Sequence, residues 1–178
     1  MSFSYFIKTD QLRYAYRKSK EHRALDNIDL KIMPDEFLLV CGASGSGKST
    51  LCRTFNGLIP HFYEGILQGQ VSVAGESTTG QSVAGLSEKV GMVFQNAESQ
   101  LFNRTVELEL AFSLESLGIP RAEIKNRISE TAEMMGVVKL LARNPHELST
   151  GEQQLISIVA VLAANPQIIV LDEPYANL

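Results

Sequence analysis

Residues 42–50 read GASGSGKST and satisfy the pattern G-x-x-x-x-G-K-[ST] at Gly42, Gly47, Lys48 and Ser49. Immediately before them, residues 37–41 (FLLVC) form a short apolar run that ends at glycine, and after them Leu51, Phe55 and Leu58 recur at helical spacing. The pattern therefore reads as strand, loop, helix. Glycines let successive backbone N–H groups turn inward around phosphate oxygens, and the following helix presents its positive end to the same anion. The expectation is a nucleotide phosphate site made of Gly42, Ala43, Ser44, Gly45, Ser46, Gly47, Lys48, Ser49 and Thr50. Lys48 would reach the β- and γ-phosphates, the Ser49 hydroxyl would ligate Mg²⁺, and Thr50 would donate towards the α-phosphate. The bland alternative is a glycine-rich turn into a helix, and the flanking patterns weigh against it.

Working outward, residues 4–16 and 27–32 are strand-like and are separated by the charged stretch 17–23, which suggests an antiparallel entry sheet. Residues 70–73 and 89–95 are further strand candidates with a loop between them. From 105 to 141, Leu, Glu, Ala, Lys and Met recur at helical spacing, interrupted at Gly118-Ile119-Pro120 and Gly136, which predicts an insertion of two or three helices. Leu155, Ile156, Ile158, Val159, Val161 and Leu162 surround most of a helix, so that helix is expected to be buried. Residues 167–171 suit a parallel strand covered on both faces. This strand ends in Asp172-Glu173, at the edge where open α/β sheets bind ligands. Asp172 would hold Mg²⁺ through its water shell, and Glu173 would orient and deprotonate an attacking water. A polar strand terminus leading into a Glu173-Pro174 turn is the alternative, and the phosphate loop in the same chain outweighs it.

With 178 residues and 44% hydrophobic content, the chain suits one globular domain. A net charge of −4 gives no broad attraction to nucleic acid; the local excess of seven Lys/Arg over four Asp/Glu in residues 1–31 reads as a solvated basic face. The most apolar stretch, residues 156–164, is far short of the roughly 20 residues that a spanning helix needs. No secretory leader pattern opens the chain, so the cytoplasm is the default location. Cys41 and Cys52 flank the phosphate loop and read as reduced core thiols.

Residues 148–153 read LSTGEQ, where Ser149 and Glu152 also make an S-x-x-E capping box. The capping box alone accounts for the local pattern. Taken in order, the phosphate loop, a glutamine after a strand, a helical insertion, LSTGE, an acidic strand and Ala176-Asn177-Leu178 resemble the ATPases of ABC transporters over nearly the whole chain. The resemblance implies an α/β P-loop NTPase with a mixed sheet core, an N-terminal antiparallel β part and an α-helical insertion. It would be a single nucleotide-binding domain over 1–178, incomplete at its C-terminal strands, with a helical subdomain over about 97–150. It also implies ATP and Mg²⁺ as cofactors, a second ATP-binding subunit as dimer partner, and docking on membrane subunits at the cytoplasmic face.

By the same resemblance Gln95 is the glutamine that contacts Mg²⁺ or water and senses the membrane subunit. Tyr16 is the aromatic that stacks on adenine, with Tyr14 as its competitor. Ser149 and Gly151 belong to the motif that binds the γ-phosphate of ATP held by the opposite subunit. The stretch 90–120 is similar to the paired ATPases of energy-coupling factor importers, which take up vitamins or metal ions such as cobalt and nickel. Thr150 replaces the usual first glycine of the LSGGE-type motif, and Tyr175 stands where a small residue or Thr is common. The aspartate, later strands and switch histidine that the family carries beyond Leu178 would leave sheet surface uncovered if absent, so a fragment is expected. Two rival readings are a non-catalytic nucleotide-binding partner, and an ABC-type ATPase acting on DNA or the ribosome. The second lacks the basic surface or coiled-coil insertion it would require.

Overall fold

In residues 7–16 the most deeply buried side chains are first odd-numbered (Ile7, Thr9) and then even-numbered (Leu12, Tyr14). Strand periodicity of two allows such a change of phase only where an extra residue is inserted. The computed structural model, which describes residues 5–19, 22–96 and 100–174, places that insertion at Gln11, whose φ is 45°. Strand β1 (Ile7–Tyr16) shifts register there against both of its antiparallel neighbours, β2 (Leu25–Ile32) and β3 (Gly65–Val73). With β4 (Glu76–Ser77) these strands form a sheet of order β2-β1-β3-β4. The expected antiparallel entry sheet is thus present, and the strand expected at 70–73 begins earlier, at Gly65.

The described residues divide into two units, residues 1–89 and 90–178. The first contains this sheet and the helices α1 (Lys48–Phe55), α2 (Leu58–His61) and α3 (Val83–Ser87). Helix α1 buries Thr50, Leu51, Thr54 and Phe55. Two expectations fail in this unit. Residues 37–41 make no ladder, and Phe37 and Leu39 are 90% and 72% exposed. An apolar run becomes a strand only where a neighbour offers hydrogen bonds, and the four-stranded sheet closes without this one. For the same reason Cys41 is exposed; Cys52 is half-buried, so neither thiol is a core residue.

The second unit pairs β5 (Val90–Val93) with β6 (Ile168–Leu171) in parallel, Val90 opposite Ile168 and Val93 opposite Leu171. Between them the chain makes helices α4 (Val106–Ser116), α5 (Arg121–Met134) and α6 (Thr150–Ala163). Among the described residues the expected insertion therefore holds two helices, α4 and α5, followed by a short turn of 3₁₀ helix at Val138–Leu140. Their core is built by repeats of three and four: Val106, Leu110 and Leu114; Ile124, Ile128 and Ala132; Ile156, Val159 and Ala163. Each of the Val, Leu and Ile side chains among them contributes about 1.5–3 kcal/mol on burial. No residue of α6 from Gly151 onward is exposed, as its apolar circumference predicts. Helix α6 packs closely on β5: a Cβ added at Gly91 would lie 2.5 Å from Val161 Cγ1. Strand β6, expected to be covered on both faces, is covered on one, because Ile169 and Leu171 are 44% and 43% exposed while Ile168 and Val170 are half-buried. Among the described residues no helix is long and apolar enough to cross a membrane. Tyr175 and Ala176-Asn177-Leu178 lie outside the described residues.

Candidate nucleotide site

The phosphate loop is shaped by Gly47, which starts α1 at φ 96°. A Cβ there would stand 2.2 Å from the Ala24 carbonyl oxygen, so both the conformation and the space demand glycine. Ser46 N donates to Ala43 O (3.2 Å) and Leu51 N to Gly47 O (2.8 Å), which closes the turn and begins the helix. Gly42, Ala43, Ser44, Gly45 and Ser46 are exposed along the loop, and Ser49 is half-buried at the first turn of α1. Lys48 Nζ donates to the carbonyl oxygens of Gly42 and Ala43, each at 3.1 Å, so its ammonium is anchored at the loop itself. The structure thus places a helix N-terminus and a cation at one exposed loop, a combination suited to an anion.

Beside the loop, the Tyr16 hydroxyl lies 3.1 Å from Thr50 Oγ1 and accepts a hydrogen bond from Arg53 Nη1 (3.3 Å). Thr50 is buried, and its hydroxyl faces Tyr16. The ring of Tyr16 meets Tyr14 and Tyr63 edge to face, and the Arg53 guanidinium lies over Tyr63. Tyr14 is 1% exposed, its hydroxyl donates to Tyr63 O, and burial pushes its phenol above the ordinary pKa. It is a core residue with no face for a ligand, whereas Tyr16 is half-buried. Arg53 and Tyr63 were missed in the sequence; Arg53 sits on α1 at an unremarkable position, and Tyr63 carries no local pattern.

In the second unit, Gln95 stands two residues past β5 and Glu173 two past β6. Because Val93 and Leu171 are paired in parallel, the segments after both strands emerge at the same carboxyl edge. Gln95 Nε2 donates to Glu173 Oε2 at 2.9 Å. Asp172 N continues the ladder by donating to Val93 O (3.0 Å), and Asp172 is 4% exposed. Glu173 has φ 48°, a left-handed conformation that costs a non-glycine residue about 1–2 kcal/mol. Strain of this kind concentrates where a side chain must point in one direction.

Ser149 caps α6 with both halves of the capping box: its Oγ accepts from Glu152 N (3.3 Å), and Glu152 Oε2 accepts from Ser149 N (2.9 Å) and Oγ (2.8 Å). These bonds, the backbone one foremost, hold the Glu152 carboxyl below its ordinary pKa. Gly151 lies half-buried in the same turn, and Thr150 is exposed as the first residue of the helix. Among the predicted site residues the structure joins Lys48 to Gly42 and Ala43, Tyr16 to Thr50, and Gln95 to Glu173 beside Asp172.

Residues 25–176 match the family model described as ABC transporter. A Pyrococcus horikoshii protein provisionally named an ABC transporter ATP-binding protein is 46% identical over 97% of this chain and 60% of its own length. The energy-coupling factor transporter ATP-binding protein EcfA1 of Bacillus subtilis is 40% identical over 97% of this chain and 60% of its own length. The chain thus spans 60% of the length of these two relatives. Among solved structures, cbiO1 of Clostridium perfringens, part of the ABC transporter complex cbiONQ, superposes with a TM-score of 0.83 at 29% identity, covering 99% of this chain and 68% of the other. A dimeric ATP-binding cassette bound to ADP and Pi superposes at 0.82 with 28% identity, covering 97% and 75%.

Proposed function

This chain belongs to the ABC transporter family, and we propose that it hydrolyses Mg-ATP to power transport across a membrane. The observation that carries the reading is the Gln95–Glu173 pair at the carboxyl edge of two parallel strands, in a chain that also holds a complete phosphate loop. In this reading the loop N–H groups and Lys48 bind the phosphates. Glu173 takes a proton from the water whose oxygen attacks the γ-phosphorus, while ADP departs. The Gln95 amide fixes one oxygen of that carboxylate. The hydroxyl of Ser49, the carboxylate of Asp172 and the carboxamide of Gln95 are oxygen donors suited to Mg²⁺, which when bound neutralises charge on the phosphates.

Residues 1–178 act as one nucleotide-binding domain, with α4 and α5 in a helical subdomain over about 97–150. Tyr16 stacks on adenine, and Ser149 and Gly151 meet the γ-phosphate held by a second ATP-binding subunit. The assembly docks on transmembrane subunits at the cytoplasmic face. Relatives named for energy-coupling factor and cbiONQ complexes support uptake of a vitamin or metal ion as the work done. Nucleotide binding without turnover is a second reading, favoured by Thr150, whose side chain stands where the family pattern carries glycine. Phosphate release from Mg-ATP, measured with the chain alone and with a full-length relative, separates the two. Release abolished by both Lys48→Ala and Glu173→Gln supports hydrolysis, and binding sensitive to Lys48→Ala without release replaces it with the second reading.

A further inference from the structure

Glu109, on α4, is 4% exposed, and among the described residues no arginine or lysine hydrogen-bonds its carboxylate. Its Oε2 instead accepts from the backbone N–H of Phe102 (3.0 Å) and of Asn103 (2.8 Å) and from Asn103 Nδ2 (3.1 Å). A carboxylate is retained in such a place only where donors replace its lost hydration, and here two backbone N–H groups and the Asn103 side-chain amide supply them. The effect is to pin residues 102 and 103 to the helix. Two positions upstream of Phe102, Gln100 Nε2 donates to Phe94 O (3.4 Å) and Asn96 O (3.3 Å), the carbonyls on either side of Gln95. Gln95 then donates to Glu173. Three sets of hydrogen bonds, linked to one another by the backbone at 100–102 and 94–96, therefore run from the interior of the helical layer to the strand end, entirely within one unit.

We propose that Glu109 and Gln100 are positioning residues that hold the Gln95 side chain on Glu173. The inference rests on the hydrolysis reading above. The direction in which the Gln95 side chain leaves the backbone depends on the backbone from 94 to 96, and one carboxamide bonded to the Phe94 and Asn96 carbonyls holds that stretch at two points that bracket Gln95. Glu109 in turn keeps the segment that carries Gln100 from drifting. A carboxylate suits that task because all three donors converge on one oxygen, which a neutral amide oxygen would serve less strongly.

Gln100→Glu removes the donor at constant size. It is expected to lower kcat about ten-fold, the scale of one or two lost hydrogen bonds, with KM changed by less than about two-fold. Glu109→Leu should do the same, and Glu109→Gln should recover part of the loss. In a Gln95→Ala background neither change should lower kcat further, because nothing remains to be held. Undiminished kcat in the single variants, additive losses in that background, or a parallel fall of kcat, nucleotide affinity and melting temperature would each overturn the proposal. The side-chain amide resonance of Gln95 in ¹H–¹⁵N spectra reports the hold without turnover. Glu173→Gln should move it, and Gln100→Glu and Glu109→Leu should return it to the shifts of a free glutamine. Should the wild-type chain release no phosphate, the hydrolysis reading fails, and this resonance alone decides the positioning: an unchanged shift in both variants refutes it.

Discussion

The phosphate loop and the strand ends at Gln95 and Glu173 are built by different means. The loop is made of backbone: a left-handed Gly47, a helix start, and carbonyls that anchor Lys48. The strand ends use two side chains 78 residues apart in sequence, brought together by the parallel register of β5 and β6. A backbone site is contiguous in sequence and is destroyed by a single methyl group in the wrong place. A side-chain site on a ladder keeps its shape when a functional group is exchanged, so it loses chemistry without losing structure. Binding and turnover should therefore separate between the two regions.

The largest effect expected from that contrast is in turnover. Glu173→Gln should slow phosphate release about a thousand-fold, the usual contribution of a positioned general base, while a nucleotide titration shows affinity changed only a few-fold. Equal losses in both would erase the distinction. Gly47→Ala should act on structure first: with a methyl group 2.2 Å from the Ala24 oxygen and φ at 96°, denaturant unfolding should register a loss of about 3 kcal/mol, and nucleotide binding should fall with it. Lys48→Ala should weaken ATP binding about ten- to a hundred-fold through lost charge-assisted hydrogen bonds, with the melting temperature nearly unchanged. A large drop in stability for Lys48→Ala would mean that the ammonium braces the loop more than it serves a ligand.

The smallest effects lie at α6. Ser149→Ala should cost about 1 kcal/mol by thermal or denaturant unfolding, as for other lost N-caps. Glu152 adds a pH dependence. Its folded pKa is depressed, so its stabilising contribution is present above the unfolded carboxyl pKa and disappears as pH falls through the lower folded value. The wild type should lose stability over that acidic window relative to Glu152→Gln, whose stability should vary less there.

Some of this was legible in the sequence because the determining chemistry lies in adjacent residues. GASGSGKST specifies a loop whose glycines and lysine act on their own neighbours, and the spacing of three and four in α4, α5 and α6 specifies which faces are buried. The capping box at Ser149 and Glu152 was equally local. Other features were not legible because they depend on what stands opposite. FLLVC and IIVL look alike as strings, yet 168–171 has β5 beside it and 37–41 has no ladder among the described residues. The Arg53 and Tyr63 environment of Tyr16, and the service of Glu109 to Phe102 and Asn103, likewise join side chains to groups that no local pattern ties to them.

By itself, then, the sequence determined the phosphate loop, the period of each helix and the polar residues at the strand end, since covalent proximity and helical or strand repeat dictate them. Tertiary structure alone decided which apolar runs became paired strands, which of Tyr14 and Tyr16 stayed accessible, and which oxygen each amide meets. Those outcomes depend on hydrogen-bond partners and on burial among residues distant in the chain, and only folding brings these together.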